Sequence, residues 1–135
     1  VPQKNLSEYC YEPNKRIVNF CNKNNIPVIC FPKGIKTNYV EFAEKVNPDC
    51  ISLDYEIDPL WAKNNLNQFC LQGGMDPKIL FKKESEIFKE VDKYLDIFKD
   101  HPYIFNLGHG LLPETNPDIL QKVVERVNNF KWKKP

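Results

Sequence analysis

The stretch from Tyr103 to Phe130, YIFNLGHGLLPETNPDILQKVVERVNNF, contains the signals of a strand, a loop and a helix in that order. Residues 103–107 have strand length and are mostly apolar on both faces, as strands of a covered parallel sheet are. Asn116 before Pro117 marks a helix start, because the asparagine side chain caps the first turn and proline lacks only an N–H that would stay unbonded there. Apolar residues then recur at helical spacing, namely Ile119, Leu120, Val123, Val124, Val127 and Phe130.

The same strand–loop–helix unit recurs along the chain. Three further apolar runs have strand length: Pro27–Phe31, Cys50–Leu53 and Phe69–Gln72. Each is followed by a helical pattern, and the predicted helix caps are Thr37, Asp58 before Pro59, and Asp76 before Pro77. A leading helix is predicted from Leu6 to Asn24, with a break or restart at Pro13.

Strands that alternate with helices imply an α/β fold with a parallel sheet and right-handed crossovers. Four such units make half of an eight-fold β/α barrel, whose usual length is about 250 residues. No linker or low-complexity segment divides the 135 residues, so we expect residues 1–135 to be one domain fragment. The alternative is a small complete α/β sheet. The first residue is Val1, which leads us to expect that the natural start lies upstream.

Composition excludes several classes of protein. The chain is 41% hydrophobic and 27% charged with a formal net charge of +1, which is typical of a globular protein and argues against nucleic-acid or membrane-surface binding. No apolar run approaches the length of a membrane span, and no secretion signal is recognisable. The cysteines form no C-x-x-C pair, so reduced thiols in a cytoplasmic protein are expected, with a zinc site or a disulfide as the alternative. They are Cys10, Cys21, Cys30, Cys50 and Cys70.

The functional groups of a β/α barrel lie at the carboxyl ends of the strands and in the loops that follow. His109 lies at such a position between Gly108 and Gly110, and flanking glycines would let the chain turn sharply and leave the imidazole facing the barrel mouth. The alternative is a plain turn with the histidine as a polar filler. Lys33 and Gln72 follow other strands; Lys33 is either at the mouth or solvated, and Gln72 either faces the mouth or bonds neighbouring backbone.

Two other polar residues have structural interpretations. Asp54 follows the second strand and is expected to cap the loop after it. His101 precedes Pro102 at a helix exit and is expected at the surface near a helix C-terminus.

Four motifs resemble those of one enzyme family. They are FPKG at Phe31–Gly34, SLDY at Ser52–Tyr55, LQGGMDP at Leu71–Pro77 and NLGHGLLPET at Asn106–Thr115. Their order and spacing resemble those of the uroporphyrinogen decarboxylase family over nearly the whole chain. NLGHG-x-x-P-[DE]-T is quite specific to that family, and the FPKG and LDY elements are weaker. Gly74 departs from the family pattern, which usually has Asn there, and this leaves any inference about the Gln72 loop open.

The resemblance implies the fold more precisely. It covers only the C-terminal portion of an enzyme roughly two and a half times this length, in keeping with the size of a barrel. Residues 1–135 are then a single domain fragment, the C-terminal half of the barrel, with about four βα units of a TIM-type (β/α)8 fold.

The resemblance also implies an activity. Members of the family are carboxy-lyases of haem (porphyrin) biosynthesis that convert uroporphyrinogen to coproporphyrinogen by removing the carboxyl groups of four acetate side chains, with no metal or organic cofactor. Protonation of a pyrrole α-carbon creates an electron sink, and a carboxylate under the pyrrole N–H groups stabilises the cation. That carboxylate and the substrate-binding arginines lie upstream in the family, so no catalytic residue is assigned with certainty here and the isolated chain is expected to be inactive.

Of the family's functional residues only the histidine of NLGHG maps onto this chain. It is His109, expected to hydrogen-bond a substrate carboxylate and to handle a proton. The weaker substrate-binding candidates are Lys33, Gln72, Gly108 and Gly110. The implied partners are the tetrapyrrole substrate and either a second copy or the missing N-terminal half, with no nucleic acid and no membrane.

Two rival interpretations remain open. Zinc-dependent methyltransferases of the corrinoid or thiol type share the superfamily fold, but they place a His-x-Cys pair at the end of the first of these strands and a cysteine near the position of His109. Phe31 and Lys33 occupy the first two positions here, a set that builds no thiolate zinc site. The second rival is a non-catalytic half-barrel that binds another chain through its open sheet edges.

Overall fold

The structure, a computed structural model, describes residues 2–132 and alternates strands with helices. A 3₁₀ turn at Gln3–Asn5 and a π-helical turn at Ser7–Tyr11 lead into helix α1. Two more 3₁₀ turns, Lys36–Asn38 and Pro77–Phe81, precede helices α2 and α4. The main elements are α1 (Glu12–Lys23), β1 (Ile29–Cys30), α2 (Tyr39–Val46), β2 (Cys50–Leu53), α3 (Pro59–Asn65), β3 (Cys70–Gly73), α4 (Glu84–Phe98), β4 (Tyr103–Ile104) and α5 (Pro117–Asn128).

The strands form one parallel sheet in the order β1-β2-β3-β4. A doubly wound sheet would reverse its strand order at a switch point, and this sheet does not. Right-handed crossovers between strands added in one direction put every connecting helix on the same side of the sheet. The predicted α/β class and the four βα units are therefore confirmed.

The two faces of the sheet differ in burial. Ile51, Leu53 and Leu71 point to the outer face, where the helices cover them completely. The inner face is open at the two outer strands, since Ile29 on β1 is 48% exposed and Ile104 on β4 is 43% exposed. The sequence predicted strands buried on both faces. The difference arises because the connecting helices cover only one face and the other is the face that lines the interior of a barrel.

The three caps before prolines are confirmed. The side-chain oxygens of Asp58, Asp76 and Asn116 accept hydrogen bonds from backbone N–H groups of their own first turns at 2.8, 2.9 and 2.9 Å. Asp76 caps the 3₁₀ turn rather than an α-helix. These contacts fix where the chain leaves each loop at the carboxyl end of the sheet.

One predicted helix boundary is confirmed and another is wrong. α1 begins at Glu12 with Pro13 in its first turn, so the predicted restart at Pro13 is confirmed, although the chain does not break there and enters α1 directly from the π-helical turn at Ser7–Tyr11. Thr37 does not cap α2. It lies within the 3₁₀ turn Lys36–Asn38, and α2 begins after Asn38 without a side-chain cap.

The outer strands are shorter than predicted. β1 spans 29–30 instead of 27–31, and β4 spans 103–104 instead of 103–107. Within residues 2–132 each of them pairs on one side only, so fewer ladder bonds define it. Leu107 still forms an isolated parallel bridge with Met75, so the backbones that follow β3 and β4 are still paired in parallel at these two residues.

His101 is not the surface histidine that the sequence predicted. It is half-buried, its Nε2 lies 3.0 Å from the carbonyl oxygen of Phe69, and its ring centroid lies 6.1 Å from that of Phe98. The imidazole thus joins the end of α4 to the entry of β3. Burial lowers the pKa of His101, and the nearby ammonium group of Lys63 lowers it further.

This lowered pKa predicts a loss of stability in acid. The unfolded chain takes up a proton on His101 at about pH 6.5, before the folded chain does, so the free energy of unfolding should fall as the pH drops below that value. Urea unfolding between about pH 7.5 and about pH 5 measures the slope. His101→Gln keeps an N–H donor for the Phe69 carbonyl but does not titrate, so its stability should decline less over the same range. Parallel curves for the two proteins would contradict this assignment.

Candidate active site

The loop after β4 is seated directly on the loop after β2. Gly108 is buried, and a Cβ atom on it would lie 2.5 Å from the backbone nitrogen of Tyr55 and 2.9 Å from the carbonyl carbon of Asp54. The Gly108 N–H donates to the carbonyl oxygen of Met75 at 2.8 Å. Only glycine allows this approach of two backbones, so Gly108 is required by packing and not by a positive φ.

His109 is the next residue and projects from this contact. Its imidazole is exposed, and its ring centroid lies 6.5 Å from that of Tyr55 with an interplanar angle of 61°. The ring lies at the carboxyl end of the sheet, on the side that the sequence predicted. Gly110 needs no special geometry, since nothing lies within 4 Å of the position of a Cβ there.

A cavity of about 410 Å³ opens at this end of the inner face. His109, Gln72 and Gly110 are among its lining residues, so the structure brings three of the predicted site residues together. Lys33 and Gly108 are not among them: Lys33 is exposed in the loop after β1, and Gly108 is packed beneath His109. The remaining lining residues are Ile29, Phe31, Ser52, Asn106 and Leu107.

Gln72 is held by a side chain of the neighbouring strand. Its Nε2 donates to the hydroxyl oxygen of Ser52 at 3.2 Å, and the two residues are register partners on β2 and β3. One amide N–H and the amide carbonyl of Gln72 remain for a ligand. Ser52 is only 6% exposed and was not among the predicted site residues. The available signal was its place in the SLDY motif, as a polar residue within the otherwise apolar run Cys50–Leu53.

Asp54 forms more hydrogen bonds than a loop cap requires. The predicted cap is confirmed, since Oδ1 accepts from the backbone N–H of Glu56 at 3.0 Å. In addition, Oδ2 accepts from the Gly34 N–H at 3.0 Å and from the Tyr39 hydroxyl at 3.1 Å. The Tyr39 hydroxyl oxygen in turn accepts from the Asp54 N–H at 3.0 Å. Burial raises the pKa of Tyr39, so this hydroxyl keeps its proton and stays a donor.

The two glycines at the carboxyl end of β3 have a structural explanation. Gly73 has φ +74°, and a Cβ on it would lie 2.7 Å from the Leu107 carbonyl oxygen. Gly74 has φ +102°, and a Cβ there would lie 3.2 Å from the ring of Tyr94, whose hydroxyl donates to the Gly74 carbonyl at 2.8 Å. The departure from Asn at position 74 therefore coincides with an aromatic ring packed over the backbone.

The arginines lie away from the cavity. Arg126 on α5 forms two hydrogen bonds to the Asp92 carboxylate, at 2.7 and 2.5 Å, and its guanidinium carbon lies 4.7 Å from the centroid of Phe88. Arg16 is exposed on α1. Apart from His109, the residues of this chain that line the cavity have uncharged side chains.

Three further findings concern the described part of the chain. The five cysteines are free thiols, of which Cys30 and Cys50 are buried. Between residues 2 and 132 no group of three or more His, Cys, Asp or Glu side chains converges as a metal site. No helix in that range has both the length and the apolar character to cross a membrane.

The contact at Gly108 predicts a matched pair of variants. Gly108→Ala should force the His109 loop off the Asp54–Tyr55 peptide and lower the free energy of unfolding by about 1–3 kcal/mol. Gly110→Ala is the control and should change it by less than about 0.5 kcal/mol, because that site is open. Urea unfolding of the two variants tests this, and equal stabilities would show that the close contact is absent.

Comparisons with known proteins identify the family. A family model described as uroporphyrinogen decarboxylase matches residues 1–130. Relatives with the name uroporphyrinogen decarboxylase include one from Wolbachia pipientis wMel, 38% identical over 127 residues, which covers 93% of this chain and 37% of the relative. Those from Cereibacter sphaeroides and Rhodobacter capsulatus are each 34% identical over 128 residues. Each of these matches covers 92% of this chain and 37% of the relative. The chain thus spans about 37% of the length of these curated relatives. With a family match that extends over nearly all of its residues, the chain belongs to the uroporphyrinogen decarboxylase family.

Proposed function

We propose that this chain supplies the C-terminal four βα units of a uroporphyrinogen decarboxylase, which converts uroporphyrinogen to coproporphyrinogen. The observation that carries the proposal is the position of His109: it belongs to the NLGHG motif and lines the cavity at the carboxyl ends of the strands. In β/α barrels that end is the one at which substrates bind.

Decarboxylation of the substrate requires two contributions from the protein. A proton must reach the pyrrole α-carbon so that the ring accepts the electrons of the breaking carbon–carbon bond, and the acetate carboxylate must be held while carbon dioxide leaves. We propose that His109 serves the second task by donating a hydrogen bond to that carboxylate, from a position where it can also exchange a proton with the substrate. No metal or organic cofactor has a part in this proposal.

Gln72 extends the same wall. Its free amide N–H and carbonyl face a cavity that Ile29 and Phe31 make apolar. A neutral donor in an apolar surrounding holds a carboxylate without the strong ionic stabilisation that would oppose loss of carbon dioxide. The acetate to be cleaved fits this wall better than the carboxylates that the product retains.

Cations for those retained carboxylates must come from elsewhere. Arg126 is occupied by Asp92 on the outer surface, and Arg16 lies on α1. Lys33, at the same end of the sheet as His109, is the weaker candidate for a substrate contact from this chain. We therefore assign the carboxylate under the pyrroles and the substrate-binding arginines to the part of the family's length that this chain does not span.

The open inner face supports the same division. Ile29, Phe31 and Ile104 expose 48%, 45% and 43% of their surfaces on a face that a complete barrel would enclose. We propose that residues 1–135 form one domain unit that is covered by the remaining units of the barrel. A homodimer in the cytoplasm is the assembly that the family resemblance favours, and free thiols suit a reducing compartment.

A chimera tests the proposal. This chain replaces the matching 37% of the Wolbachia relative, and conversion of uroporphyrinogen is followed by chromatography of the oxidised porphyrins. The chimera should be active and the isolated chain should not. His109→Leu removes the N–H donor and should lower kcat/KM of the chimera by about 10- to 100-fold, since one hydrogen bond to a charged group is lost.

The control is His101→Gln, which changes the other histidine far from the cavity and should leave kcat/KM unchanged. Robust turnover by the isolated chain would overturn the assignment of the missing groups. Full activity of the His109→Leu chimera would overturn the assignment of the imidazole. Binding of the isolated chain to the rest of the relative without any turnover would favour a non-catalytic half-barrel.

A further inference from the structure

We propose that Asp54 is a positioning residue for His109. The buried carboxylate fixes the peptide on which the His109 loop rests, and through that peptide it sets the direction of the imidazole. For its catalytic readout this inference rests on the proposed function; its structural readout does not.

The Asp54 carboxylate is buried and held by several hydrogen bonds. Asp54 is 2% exposed, and its two carboxylate oxygens accept three hydrogen bonds, from Gly34, Tyr39 and Glu56. These donors belong to the loop after β1, the start of α2 and the loop after β2. One carboxylate therefore ties together three segments at the carboxyl end of the sheet, where a loop cap alone would need one bond.

The His109 loop packs directly against the peptide that joins Asp54 to Tyr55. Gly108 approaches the Asp54–Tyr55 peptide so closely that a Cβ would lie 2.5 Å from Tyr55 N and 2.9 Å from Tyr55 Cα. A shift of this peptide must move Gly108, since no free space separates the two backbones. His109 follows Gly108 directly, so the displacement is transmitted over a single residue.

Apart from the loop backbone, few contacts orient the His109 imidazole within the described residues. Among the described residues its ring contact is with Tyr55, at 6.5 Å between centroids. Tyr55 is itself the residue after Asp54. The backbone below His109 and the aromatic ring beside it thus both depend on the peptide that Asp54 holds.

Asp54→Asn disturbs this anchor with a minimal change of shape. The backbone N–H groups of Gly34 and Glu56 can only donate, and each points at a different oxygen of the carboxylate. Whichever way the amide is turned, its NH₂ group faces one of these donors, so at least one bond is lost. Asp49→Asn is the matched control: Asp49 accepts from the Val28 N–H at 2.8 Å, just before the amino-terminal end of β2 and far from His109.

The structural test uses the two histidines of the chain. A carbon–proton NMR spectrum of the chain labelled at histidine Cε1 contains one signal from each. Asp54→Asn should move the His109 signal and leave that of His101 in place, and Asp49→Asn should leave both. If Asp54→Asn does not fold, Tyr39→Phe removes one donor to the same carboxylate together with the acceptor of the Asp54 N–H, and it should also move the His109 signal. An unmoved His109 signal in the folded variant would overturn the proposal.

The catalytic test is a double-mutant cycle in the chimera. Asp54→Asn should lower kcat/KM by about tenfold in the parent, and by less than about twofold in the His109→Leu variant, because the two changes remove the same interaction. A purely structural Asp54 would give independent, multiplicative losses, and that result would contradict a positioning role. If the chimera has no activity at all, the proposed function fails, and the NMR result still decides whether Asp54 positions His109.

Discussion

The handedness of the crossovers is the constraint on which the rest of this structure depends. Four parallel strands added in one direction place their helices on a single side, so the outer face is fully covered and the inner face is not. Ile29, Phe31 and Ile104 are apolar residues whose burial requires further chain. The same constraint puts all four strand ends at one edge, and this is why residues that are far apart in sequence meet there. The open inner face and the meeting of the strand ends at one edge follow from one geometrical cause.

Backbone contacts at that edge are as important as the side chains that would meet a substrate. Gly108 lies against the Asp54–Tyr55 peptide, Gly73 lies against the Leu107 carbonyl, and the Asp54 carboxylate binds three segments. These contacts join the loops after β2, β3 and β4 into one platform below the cavity. An exposed imidazole on a loop would ordinarily sample many directions. We propose that this platform holds it toward the inner face, where a hydrogen bond to a substrate carboxylate is possible.

Much of the fold could be predicted because its signals are local. Three cap-proline pairs and the apolar periodicity of α4 and α5 gave helix starts that agree with the structure, and β2 was predicted at Cys50–Leu53, where it is found. The errors concern properties that depend on the surroundings. The lengths of β1 and β4 depend on partner strands, and the burial of His101 depends on packing against Phe98 and the Phe69 carbonyl. The site was predicted at His109 and Gln72, but the role of Ser52 and the extra bonds of Asp54 were not. Both arise from contacts with neighbouring strands and loops, which the SLDY motif alone does not reveal.

The most direct measurement is a crystal structure of this chain assembled with the remaining part of the Wolbachia relative, with uroporphyrin bound, because this oxidised form of the substrate keeps the acetate groups. In that complex β1 and β4 should each gain a parallel neighbour from the added part, Ile29 and Ile104 should become enclosed, and the His109 imidazole should lie within hydrogen-bond distance of an acetate carboxylate. A ligand bound at the opposite rim of the strands, or an imidazole sealed among packed side chains, would contradict it.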